Sequence, residues 1–306
     1  MQELLSASLK SSSVPTYRRA WRLFNEFQLG VFHSQNAFLP IAPATLALFV
    51  AYLFANHYAI STVNTSVSAL GYYHRLVGLN DPTKTFYITE MLKGYRRINC
   101  TLDSRLPITL PILVRVMQLS RSVCASQYQS YMFQAMCSMA FFGFLRIGEI
   151  TVTKPQSIHS NLLYLAHVTK QFCSTGEVVS LVVTFTNYKH NTNRNAFSLI
   201  LHRQLNACPV QSFLDYVTVR GPENGPLFIN KDGSPVLRSD FGKVLCSVIR
   251  LCGLDPNRYK GHSFRIGAAT YAAEQGHSDT QIRHMGRWKS DAFKKYIRIS
   301  SLKSIC

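Results

Sequence analysis

Between Glu26 and Arg75 the chain carries no Asp, Glu, Lys or Arg. So long a charge-free interval suits either a membrane or the interior of a helical domain. Pro40 and Pro43 interrupt it, and Asn56 and His57 follow soon after. The unbroken helical part, Thr45 to Ala55, falls far short of the roughly 20 apolar residues a helix needs to cross a bilayer. It is expected to be a core helix, with no membrane partner. Its neighbours read the same way. Ser11–Ser13 and Pro15 are a helix-start signal ahead of Tyr17, Trp21, Leu23, Phe24 and Phe27, with Arg18, Arg19 and Arg22 on another face. Ser61–Thr62 opens a third helix through Val63, Val67, Leu70 and Tyr73, and a fourth runs from about Thr85 to Arg97. Residues 1–105 are thus expected to form a four-helix, bundle-like domain, its basic residues, including Arg96 and Arg97, gathered at helix starts and ends.

Residues 98–108, INCTLDSRLPI, form a polar connection ending in Pro107, and a second domain is expected over 106–306. There Ile108–Ser122 and Gln127–Leu145 read as helices. Leu162–Val168, Val178–Phe185 and Ala196–Leu201 are short β-branched or alternating runs between Ser-Thr-Gly and Asn-rich turns, which predicts a small antiparallel sheet. Helices return at Pro209–Arg220, Ser239–Cys252, Ser263–Gln275, Asp279–Met285 and Ser290–Ile297, with Gly276 and Gly286 where C-terminal caps belong. The fold class is mainly α: a helical domain, then a mixed α+β domain.

Length and composition narrow the partners. With 306 residues, 47% of them hydrophobic, the chain can form real cores. Lys and Arg total 33 against 15 acidic residues, a formal charge of +18 spread over both halves. Such a surface favours a polyanion, with nucleic acid the first candidate. The eight cysteines show no CxxC or Cys/His ligand spacing, so free buried thiols in a reducing compartment are expected. MQELLSASLKSSS lacks the apolar core of a secretory signal. There is no P-loop, no HExxH and no acidic cluster for two-metal work, so no cofactor or metal is expected.

Chemistry is concentrated near the C-terminus, in GHSFRIGAATYAAEQGHSDTQIRHMGRWKSDAFKKYIR, Gly261 to Arg298. His262 and Arg265, three apart, project from one helix face. Gly267, Ala268 and Ala269 beside them suggest close backbone packing. Tyr296 follows among Lys294, Lys295 and Arg298. These are the groups needed to hold a phosphodiester and attack it. A free phenol has a pKa of about 10, so the attack needs nearby positive charge and a proton acceptor. Upstream, Arg146 ends the apolar stretch AMCSMAFFGFL. A guanidinium there needs either an anion or a carboxylate, and Glu149, three residues on, is available.

HSFRIGAA, GRW and YIR, in that order, resemble the catalytic C-terminus of the tyrosine recombinases, the phage-integrase family. The fuller strings GHSFRIGAAT and GRWKSDAFKKYIR look closest to recombinases of eukaryotic DIRS-type and Crypton-like mobile elements. The N-terminal pattern is similar to the family's SAM-like core-binding domain, so the resemblance covers almost the whole chain. It implies that Arg146 and Arg265 clamp the scissile phosphate, with Glu149 orienting Arg146. The family motif Gly-Leu-Arg-Ile-Ser-Glu is altered here, with Phe144 between Gly143 and Leu145 and Gly148 before Glu149. The family carries its catalytic lysine on a β-hairpin turn, which favours Lys189 over Lys231. Trp288 takes the position of the family's His or Trp. It lies one residue nearer Tyr296 than in bacterial members, so Arg287 is the other candidate. Tyr296 is implied as nucleophile, giving a 3′-phosphotyrosyl link, with His262 taking up or positioning its proton. The implied partner is double-stranded DNA, clamped by both domains and bound by a homotetramer. Arg18, Arg19, Arg22, Arg96, Arg97 and Arg287 are expected to contact the DNA. The ten residues after Tyr296 are short for the helix that locks neighbours in a ring. Nuclear residence follows only from the eukaryotic resemblance. The alternative is a recombinase-derived DNA-binding protein that no longer exchanges strands.

Overall fold

The computed structural model describes residues 8–9, 13–33, 38–99, 103–156, 161–188 and 195–298. The chain divides into two compact units, Met1–Asp103 and Ser104–Cys306. In the first, α1 (Val14–Phe32), α2 (Pro43–Ala55), α3 (Ile60–Leu76) and α4 (Phe86–Ile98) enclose an aromatic core. Pro15 and Pro43 sit in first turns, where a missing N–H costs nothing. Phe24 and Phe27 of α1 meet Phe49 of α2, with the Phe24 and Phe49 rings edge to face at 5.1 Å. The charge-free interval supplies much of this interior: Leu46, Phe49, Leu53, Val63 and Leu70 are fully buried, whereas Leu29, Phe38 and Leu48 are exposed. Among the described residues no helix is long and apolar enough to cross a membrane. The buried His74 ring is satisfied at both nitrogens. Nε2 accepts from Ile41 N at 2.9 Å and Nδ1 lies 2.8 Å from the Leu70 carbonyl, the pattern of a neutral imidazole. Arg18, Arg19, Arg22, Arg96 and Arg97 are all exposed.

The second unit is built around α6 (Gln127–Phe142), which follows α5 (Leu110–Leu119) and is buried almost all round. It packs against α8 (Pro209–Arg220) and α10 (Ser263–Glu274). Between α6 and α8 lie the single-turn α7 (Ile147–Ile150) and an antiparallel sheet in sequence order: β1 (Val168–Phe172), β2 (Val178–Phe185) and β3 (Phe197–His202). On β2, Leu181, Val183 and Phe185 face the core in period two. Phe185 stands opposite Phe197 at the end of the β2–β3 hairpin. The chain continues through α9 (Arg238–Leu251), α11 (Asp279–Met285) and a 3-10 helix, Asp291–Tyr296.

Several sequence-based expectations are corrected. The strand expected at Leu162–Val168 begins only at Val168. Leu163 is committed elsewhere, donating to the Glu149 carbonyl and accepting from Leu227 N, each at 2.8 Å. The helix expected to reach Leu145 stops at Phe142, because Phe144 turns left-handed at φ 49°. The helix expected at Ser290–Ile297 is the 3-10 helix, started by Ser290 capping Ala292 N. Of the described cysteines, only Cys137 and Cys252 are buried, and Cys124, Cys173, Cys208 and Cys246 are part-exposed.

Candidate active site

Arg146, His262, Arg265, Arg287, Trp288 and Tyr296 line one cavity of about 660 Å3 in the second unit. Two helix ends build it, by the same local device. At the end of α6, Phe144 N donates to the Phe141 carbonyl and Leu145 N to the Ala140 carbonyl. After α11, Arg287 N donates to the His284 carbonyl and Trp288 N to the Arg283 carbonyl. Each is a Schellman turn with its left-handed position held by a non-glycine residue, Phe144 at φ 49° and Arg287 at φ 53°. Backbone strain of about 1–3 kcal/mol per such residue is typical of functional sites. Gly286 is the C-cap residue of α11, where a cap was expected, and has an ordinary φ of −79°. It is glycine because a Cβ there would overlap the Trp288 ring.

These turns direct carbonyls at the arginines. Arg265, on the first turn of α10, donates from Nη1 to the Phe144 carbonyl and from Nη2 to the Gly286 carbonyl. Both acceptors are at the negative ends of helices, which favours a cation. The Arg265 guanidinium also lies 4.0 Å over the Trp288 ring. Arg287 was expected at the DNA surface. Its side chain is instead fully enclosed, because the left-handed turn swings it inward. Its Nη2 is 2.8 Å from Glu149 Oε2, its guanidinium lies 3.7 Å over the Phe185 ring, and its Nε has no hydrogen-bond partner among the described residues. Arg146 caps α7 and pairs with Glu149 Oε1 at 2.9 Å, while its backbone N–H donates to Glu149 Oε2 at 2.9 Å. Arg146 thus has the carboxylate partner that the sequence offered and also lines the cavity.

The charge balance follows. Arg146, Arg265 and Arg287 surround the Glu149 carboxylate. Burial first, then the charges of Arg146 and Arg287, pull Arg265 well below the ordinary arginine value, with Glu149 and Tyr296 acting the other way. Arg287 is lowered chiefly by burial, against the pull of Glu149. Arginine does not give up its proton in proteins. Among the described residues three guanidinium groups thus share the one Glu149 carboxylate.

Tyr296 closes the cavity. Its ring lies 4.9 Å from His262 and 5.3 Å from Trp288. Thr270 Oγ1, on α10, is 3.2 Å from the Tyr296 carbonyl and accepts from Arg298 N at 3.0 Å. The 3-10 helix is tied to α11 by Lys294–Asp279 at 3.0 Å and Arg283–Asp291 at 4.0 Å. Lys294 is therefore turned to a carboxylate rather than grouped around the phenol. Gly267 meets the Ile108 carbonyl so closely that a Cβ would overlap it, which is the close packing expected of that small-residue run. Lys189 lies outside the described residues. Lys231 is exposed and does not line the cavity. Among the described residues no three His, Cys, Asp or Glu side chains converge as metal ligands.

Solved structures of the same architecture give the arrangement a context. The XerH site-specific recombinase bound to palindromic difH, in a post-cleavage complex, is 14% identical, matching 95% of this chain and 77% of that one at a TM-score of 0.66. A lambda integrase dimer on a COC′ core site is 13% identical over 97% and 92%, at 0.63. The Tn1549 transposon integrase in complex with transposon right end DNA is 13% identical over 97% and 92%, at 0.61. The fold is that of the tyrosine recombinases. No protein-family model and no curated protein matches the chain.

Within the tyrosine recombinase fold, sequence reasoning missed three contributors. The Phe144 carbonyl serves two arginines, receiving Arg265 Nη1 and, at 3.3 Å, Arg287 Nη2. Thr270 tethers the Tyr296 backbone. Arg238 lines the cavity from the start of α9. The inserted Phe144 was the visible signal for the first. The others had none.

Proposed function

We propose that this chain is a DNA strand-transferring tyrosine recombinase. The observation that carries the reading is the excess of guanidinium over carboxylate in a cavity closed by Tyr296 and His262. A scissile phosphate supplies the missing negative charge, and supplies more of it as the pentacoordinate transition state forms. Arg146 and Arg265 hold the non-bridging oxygens, and Glu149 and Arg287 keep Arg146 in place. Tyr296 attacks phosphorus as His262 takes its proton. The bond to the 5′ oxygen breaks, Lys189 protonates that leaving oxygen, and a 3′-phosphotyrosyl link remains. Trp288 lies beneath Arg265, and its ring packs beside Tyr296 at a tilt of 56°. The link conserves the energy of the phosphodiester, so a partner strand's 5′ hydroxyl reverses the step without ATP. Arg18, Arg19, Arg22, Arg96 and Arg97 add phosphate contacts from the first unit. The working unit is a homotetramer on duplex DNA, and the strings GHSFRIGAAT and GRWKSDAFKKYIR support a eukaryotic mobile-element lineage acting in the nucleus.

The test is a nicked duplex, selected from a random pool by covalent capture, whose short 5′ fragment diffuses away after cleavage. Wild-type protein in EDTA becomes attached, whereas Tyr296→Phe binds the duplex without attaching. Attachment that requires magnesium, or that survives in Tyr296→Phe, overturns the mechanism.

A further inference from the structure

Arg238 stands at the mouth of the same cavity and has no role in the account above. Its backbone is fixed to the segment that carries Arg146. Arg238 N donates to the Val152 carbonyl at 2.8 Å, and Val152 N donates to the Val236 carbonyl at 3.0 Å. Val152 and Leu237 pair as a parallel bridge immediately after α7. The guanidinium lies against Gly148, where a Cβ would overlap Nη2. Gly148 occupies the position before Glu149 at which the recombinase motif has serine. Glycine there opens a slot, and Arg238 fills it. The residue is exposed, and the nearest carboxylate along its own helix, Asp240, is engaged by Lys243 at 3.2 Å. Lys260, exposed on the same cavity wall, adds a second cation beside it.

Arg146 and Arg265 are held by Glu149 and by two helix-end carbonyls, as a buried clamp on a single phosphate. Arg238 differs from them in being solvent-facing, on a fixed base and displaced along the Arg146 side. We infer that Arg238 is a positioning residue that grips the phosphate next to the scissile one on the cleaved strand. The slot at Gly148 sets its reach. The inference rests on the proposed strand-transfer reading. A guanidinium on a phosphodiester can present two parallel donors, which fixes orientation as well as adding attraction. Such a contact sets the register of the strand over Tyr296 without touching the reacting bond.

The experiment uses a series of the nicked duplexes, each with one neutral methylphosphonate at a phosphate flanking the scissile position. Covalent attachment is timed for wild type, Arg238→Ala and Gly148→Ala. Wild type should slow about 10–100-fold at one flanking phosphate, the loss expected for a charged hydrogen bond. Arg238→Ala should be slowed by a similar factor on native DNA and lose nothing more at that position. Gly148→Ala, which keeps the arginine but fills its slot, should also lose the sensitivity there. Arg238→Lys should restore part of the rate. An unchanged sensitivity profile in Arg238→Ala overturns the assignment while leaving strand transfer standing. Failure of wild type to attach to any duplex overturns the strand-transfer reading, and this inference with it.

Discussion

Glu149 sits between Arg146 and Arg287 with its side chain only 4% exposed, so the two ion pairs are unequal. The Arg287 side chain is sealed, whereas that of Arg146 is 23% exposed. Removing one member of a buried pair costs about 3–5 kcal/mol, because the other charge is stranded. Glu149→Gln should therefore lower urea-unfolding stability by about that amount. Arg146→Ala should cost about 1 kcal/mol or less, since Glu149 keeps Arg287. Both variants should fail to attach to DNA, so only the unfolding curves separate them. His262, Arg265 and Tyr296 were legible because they lie in one contiguous string. Arg146 was legible because a cation ending an apolar run demands an anion. Arg287 and Trp288 are adjacent, and no spacing rule says which turns inward. That is decided by a left-handed backbone and a ring occupying the space beside Gly286. Arg238 is a lone arginine at a helix start, of a kind that is ordinarily solvated.

At the scale of elements, the two Schellman turns are the devices that assemble the site. Gly286 has an ordinary helical backbone, so alanine is conformationally allowed there and only Trp288 stands in the way. Gly286→Ala should therefore leave DNA affinity near wild type while slowing attachment about tenfold or more, as displaced active-site groups do. Equal losses in binding and attachment would contradict this account of the turn. In the first unit, Asp81 joins α3 to the following turn, accepting from Thr83 N at 3.0 Å, Thr83 Oγ1 at 2.6 Å and Arg75. Burial pushes its carboxyl up, but the Thr83 hydrogen bonds and Arg75 outweigh this and hold it below the usual range. A lowered folded value stabilises above the unfolded value of about 3.9 and is lost as pH falls through the folded one. Melts followed by Trp21 fluorescence in a Trp288→Phe background should show that acid loss, and Asp81→Asn should remove it. The amphipathic helices, such as α1 with Ala20, Leu23, Phe24 and Phe27 buried, and strand β2 with Leu181, Val183 and Phe185 buried, were legible from periods of 3.6 and 2. Leu162–Val168 was misleading because its apolar residues are buried by pairing to α7 and to Leu227 rather than to a strand.

For the whole molecule, the charge of +18 matters more than any single surface arginine. A protein that neutralises six to ten phosphates loses about 10^3–10^5 in affinity between 50 and 200 mM salt. Equilibrium binding to a duplex should show that slope, with Arg18→Ala, Arg19→Ala and Arg22→Ala each reducing it by about one contact. A salt-independent affinity would remove DNA as the partner. The two-unit plan was readable from a polar, unpatterned connection between periodic segments, and the fold class from the sheet inserted among helices. How the cavity is enclosed was not readable, since it depends on carbonyls and on side-chain direction. Strand transfer by Tyr296 is tested most directly by the adduct itself. Protein trapped on a nicked duplex, digested and sequenced by mass spectrometry, should carry a nucleotide 3′-phosphate on the Tyr296 oxygen, opposite a free 5′ hydroxyl on the DNA. A 5′-phosphate linkage, or an adduct on Tyr259, Tyr271 or any other residue, would contradict it.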